Sequence, residues 1–170
     1  MPVAFLLMPT YLTDEAGKYV PERVRSRARL VVLSDSLEPT KLAERLGLAP
    51  DESWLRGDRR HGGGQHLHHG FAIESRLPEV RSPEDHLADL VERLGPAALR
   101  VSALADDPEV HSARVWVSRH GENWNPGFSL TARLVRSLDA LSLGLDIDVY
   151  VVSDADSSSD DPDLRPSAPH

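Results

Sequence analysis

Residues 129–152 read SLTARLVRSLDALSLGLDIDVYVV. Leu130, Leu134, Leu138 and Leu141 recur at helical spacing, which predicts a helix with one apolar stripe against a core. Ser129 stands where an N-cap belongs, and Gly144 where the helix stops. From Leu145 the period changes to two. Leu145, Ile147, Val149 and Val151 then point inward, and Asp146, Asp148 and Tyr150 point outward. A capped amphipathic helix feeding an alternating strand marks a folded α+β domain.

The rest of the chain extends this pattern upstream. Ala28–Leu33 (ARLVVL) is a strand that is apolar on both faces, as a central strand is. A first helix starts at Pro39, buries Leu42 and Leu46, and ends at Gly47 ahead of Pro50. Phe71 and Ile73 mark a short strand. Ser82, Pro83 and Asp85 open a second helix with Leu87, Leu90, Val91 and Leu94 on its buried stripe, and Gly95 and Pro96 end it. Leu99–Leu104 reads as a strand, Asp106-Asp107-Pro108 as a turn, and Val110–Arg119 as the strand returning from it. This order predicts a mostly antiparallel sheet with three helices packed on one face, and a ferredoxin-like core with an added helix satisfies it. Residues 1–27 form an amino-terminal arm or extra strand, 28–152 one domain, and 153–170 a disordered acidic tail.

Composition narrows the function. The chain has 170 residues and no cysteine, which removes disulfides, thiolate metal sites and cysteine nucleophiles. Its net charge of −8 opposes broad contact with a nucleic-acid backbone. The apolar run Val3–Met8 is too short for a membrane span and lacks the basic start of a signal peptide. A cytoplasmic protein that binds neither nucleic acid nor membrane is expected.

Three segments carry a family resemblance: ARLVVLSDSLEPTKLAERLGLAPDESWLRGD, the acid-rich helix after GFAIESRLPE, and the closing LGLDIDVYV. Taken in order they resemble a bacterial family catalogued as domain of unknown function 4279. The resemblance covers roughly residues 28–152, a single-domain span. It implies a small soluble α+β domain and assigns no catalytic residue.

Several groups of residues bear on chemistry. RRHGGGQHLHH gathers His61, His66, His68 and His69 in one loop. His61, His66 and His68 are candidate ligands for zinc or nickel, with Asp58 as a carboxylate donor, against the reading of a variable exposed loop. Arg59 and Arg60 beside Gly62–Gly64 form a weak anion cradle that matches no known phosphate loop. Trp54 reads as a plug at the edge of the core. Trp116, Trp124 and Tyr150, with the acids Asp146 and Asp148, are the candidate partner-binding residues. The competing reading makes Asp146 and Asp148 the wet face of the last strand, with Arg114 paired to one of them. No nucleophile elbow, His-Glu-x-x-His helix or kinase signature is present.

The expectation is a non-catalytic protein-binding module of immunity or regulatory type, without a cofactor and with a basic protein partner. The alternatives are a metal-dependent enzyme built on the histidine-rich loop and a small-ligand sensor.

Overall fold

The computed structural model describes residues 12–13, 19–20, 25–121 and 128–151. Val3–Met8, Trp124 and the acidic tail from residue 153 lie outside these residues. Two short strands, β1 (Leu12–Thr13) and β2 (Tyr19–Val20), pair antiparallel in a sheet of their own. The main elements follow as β3 (Arg25–Ser34), α1 (Pro39–Leu46), β4 (Glu52–Trp54), β5 (His69–Glu74), α2 (Pro83–Leu94), α3 (Ala98–Ser102), β6 (Ser112–Gly121), α4 (Ala132–Asp139) and β7 (Gly144–Val151).

The main sheet has five strands in the order β4-β5-β3-β6-β7. β3 is central and antiparallel to both neighbours, as its apolar faces predict. It begins at Arg25, upstream of the expected start at Ala28, and its inward row Ser26, Ala28, Leu30, Val32 and Ser34 is buried. β4 and β5 pair antiparallel, whereas β6 and β7 run parallel and are joined through α4. The sheet is therefore mixed and mostly antiparallel. A ferredoxin-like fold splits its β-α-β units by a strand between the parallel pair. Here β6 and β7 are adjacent, so the α+β class holds without the ferredoxin-like order.

The core lies on one face of this sheet. Leu42 and Leu46 of α1, Leu87, Leu90 and Leu94 of α2, and Leu134 and Leu138 of α4 are buried against Leu30, Val32, Phe71, Ile73, Val115 and Val117. The expected starts and stops of the first two helices follow from local chemistry. The Ser82 hydroxyl accepts from the Asp85 amide at 3.1 Å, and Gly47 takes the left-handed conformation at φ 62°.

Three expectations need correction. Leu99–Leu104 is not a strand: α3 and a following 3-10 turn occupy it. Val101 and Leu104 are buried while Leu99 is 87% exposed, a spacing of three that a helical turn satisfies and alternation does not. β6 consequently has no hairpin partner before it and pairs with β3. The last helix is capped by Thr131 rather than Ser129, its hydroxyl accepting from the Leu134 amide at 3.4 Å. The reversal after it falls at Ser142, with φ 52°, and Gly144 opens the strand instead. Among the described residues no helix is long and apolar enough to cross a membrane.

Candidate functional site

The register of the strands decides what the face opposite the helices carries. Arg25, Arg27 and Arg29 of β3 stand beside His120, Ser118 and Trp116 of β6, and these stand beside Tyr150, Asp148 and Asp146 of β7. Four of the expected partner-binding residues therefore share one surface. The Trp116 indole N–H donates to Asp148 Oδ2 at 2.7 Å, and the Tyr150 hydroxyl donates to the same oxygen at 3.3 Å. The Arg29 guanidinium lies over the Trp116 ring, 4.5 Å from its centroid, and leaves Trp116 half-buried. His120 stacks on Tyr150 with centroids 4.5 Å apart. The Asp148 charge pushes the Tyr150 phenol above its ordinary pKa of 10.0. Arg114 Nη1 meets Asp146 Oδ1 at 2.7 Å, the cross-strand pair the sequence suggests. Trp124 lies outside the described residues.

The inward row of β7 behaves differently from its expected role. Ile147 is 48% exposed and Val149 44%, because β7 is the edge strand and the helix layer does not cover that row. Leu145 alone among the three packs against the core. The side chain of Val151 lies outside the described residues.

Trp54 also lies on the open face rather than in the helix-covered core. Its register partner is Gly70, and it is stacked on His66 with centroids 4.8 Å apart. That stack, and the turn beyond it, reshape the histidine-rich loop. Gly57 N–H donates to His66 O at 2.8 Å and His66 N–H to Asp58 O at 2.9 Å. Gly63 and Gly64 take positive φ values of 92° and 77° at the tip. The glycines thus make a turn, and the Gly63 amide is donated to Arg60 O rather than left for an anion. His61 is exposed in this turn, His66 lies against Trp54, and the Asp58 carboxylate accepts from the Leu55 amide at 2.7 Å.

His68 leaves the other two histidines and joins different residues. Its Nδ1 lies 2.7 Å from Asp35 Oδ1, and His111 Nδ1 lies 3.3 Å from Asp35 Oδ2. The two imidazoles stack with centroids 4.0 Å apart and planes inclined by 20°. The bond from His68 holds the Asp35 carboxyl below its ordinary pKa, and the charges of His68, His111 and Arg56 act in the same direction. Local spacing does not connect Asp35 and His111 to His68. The available signal is positional: Asp35 directly follows the central strand and His111 directly precedes β6, so antiparallel pairing brings them to one end of the sheet.

A separate shallow groove of about 410 Å³ lies beside α1, lined by Pro39, Ala43, Glu44, Gly47, Leu48 and Pro50 among others. Glu44 is its one ionisable group, which gives a small ligand little to orient against.

No curated protein and no solved structure matches the chain. The model of one family, described as a domain of unknown function (DUF4279), matches residues 23–152. That span takes in the whole five-stranded sheet and the helices over it, so the chain belongs to the DUF4279 family.

Proposed function

We propose that the chain is a non-catalytic protein-binding module of the bacterial cytoplasm, of immunity or regulatory type, that takes its partner along the edge of β7. One observation carries this reading. The edge strand keeps Ile147 and Val149 about half exposed, next to a backbone that pairs on one side only among the described strands. Such an edge accepts an extended segment through main-chain hydrogen bonds, with alternate side chains supplying specificity. Apolar side chains of that segment would cover Ile147 and Val149. Basic ones would face Asp148, which pairs with no cation among the described residues.

Selection from a random peptide library on the full chain tests this. The expected binders alternate branched apolar residues with Lys or Arg. Their affinity falls at least about tenfold in Ile147→Asp and in Asp148→Lys, with circular dichroism unchanged. Binders that keep full affinity for both variants overturn the assignment.

A further inference from the structure

Asp35, His68 and His111 form a donor set that the β7 edge does not use. The three side chains come from neighbouring strands at one end of the sheet: the turn after β3, the approach to β5 and the approach to β6. The backbone beneath them is fixed. Buried Ser34 donates through Oγ to Glu109 O at 2.6 Å and accepts from the Leu37 amide at 2.9 Å, which ties the Asp35 turn to the segment leading into β6. The His111 amide donates to Leu33 O at 2.8 Å, which holds His111 beside the end of β3. One ligating atom from each residue lies within 4.8 Å of the other two.

We propose that Asp35, His68 and His111 bind a divalent late first-row transition metal, with zinc as the occupant. Imidazole nitrogen suits zinc, copper and nickel, and a carboxylate oxygen completes sets of this type. Bonds of about 2.0–2.2 Å put tetrahedral donors roughly 3.3–3.6 Å apart. The contacts of 2.7 and 3.3 Å to Asp35 are close to that spacing, and the two rings turn out of their stack to aim both nitrogens at one ion. Asp35 is 55% exposed and His111 48%, which leaves the fourth position open to water or to an anionic ligand. The site differs from one in the glycine turn because it shares only His68 with that loop.

The test uses the full chain without a histidine tag and Zn²⁺ alone. Isothermal titration is expected to give one ion per chain with a Kd below about 10 µM. The imidazole NMR signals of His68 and His111 are expected to shift during the titration, and those of His61 to stay in place. His68→Ala and His111→Ala should each weaken binding at least about tenfold, and Asp35→Asn, which keeps the shape of the turn, should also weaken it. Absence of binding at 10 µM, on the order of the threshold above, overturns the proposal. So does undiminished affinity in the His68→Ala and His111→Ala variants, or loss of binding only when His61 and His66 are replaced.

Discussion

Gly70 has no side chain because Trp54 fills the space where one would stand. A Cβ built there lies 2.6 Å from Trp54 Cζ2 and 2.8 Å from Leu33 Cδ2. Gly70→Ala must push an indole off the open face of the sheet, so it should cost about 1–3 kcal/mol in chemical denaturation and change the tryptophan fluorescence. His86 shows a different constraint. It is 1% exposed, and its Nδ1 lies 2.9 Å from Ser75 Oγ. Burial holds its pKa below the ordinary 6.5, against the opposing pull of the Pro78 carbonyl and of Asp89 and Asp85. On acidification the unfolded chain takes up a proton near pH 6.5 that the folded chain still refuses. The His86 contribution to stability is therefore complete above that pH and is lost as pH falls toward the lower folded value. Urea midpoints measured across this range should decline with acidification, and His86→Gln should flatten the decline.

At the scale of elements, local chemistry accounts for what the sequence discloses and what it conceals. Helix α2 is legible because Ser82, Pro83 and Asp85 lie within one turn and cap it without outside help. Helix α4 offers two hydroxyls, Ser129 and Thr131, at its start. The choice depends on a tertiary contact, the Thr131 amide donating to Glu84 Oε1 at 3.0 Å, which ties this start to the start of α2. Ser82→Ala and Thr131→Ala should each cost about 1 kcal/mol in denaturant titrations. Ser129→Ala should stay within about 0.5 kcal/mol, as exposed sites away from such features do. The segment Leu99–Leu104 fits both a period of two and a period of three, and only packing decides. Arg100 Nε donates to Leu46 O at 2.7 Å, satisfying a carbonyl at the end of α1, which a strand there would not do in the same way.

At the scale of the molecule, the sheet's register determines the sites, and register is the property least visible in one chain. His61, His66 and His68 look like one group because they are close in sequence. The fold sends His61 to a turn, His66 to Trp54 and His68 to Asp35 and His111. Asp146, Asp148 and Tyr150 were legible as one face, since alternation alone places them together, and only pairing with β6 brings them to Trp116. The edge position of β7 was not legible, because alternation reads the same in an edge strand as in a covered one. That position makes self-pairing a hazard that the acids oppose. Two copies of β7 pairing antiparallel about Ile147 would set Asp146 of each against Asp148 of the other. Arg114 already pairs with each Asp146, so the two opposed like-charge pairs cost at most about 0.4–2 kcal/mol, up to roughly a two- to thirtyfold weakening of such a dimer. The double variant Asp146→Asn with Asp148→Asn removes this repulsion while keeping side chains of the same shape. It should self-associate more tightly than the parent chain, by up to that factor, in sedimentation velocity at neutral pH, and adding Ile147→Lys should abolish the gain. Equal association in parent and double variant would mean that the acids do not guard this edge.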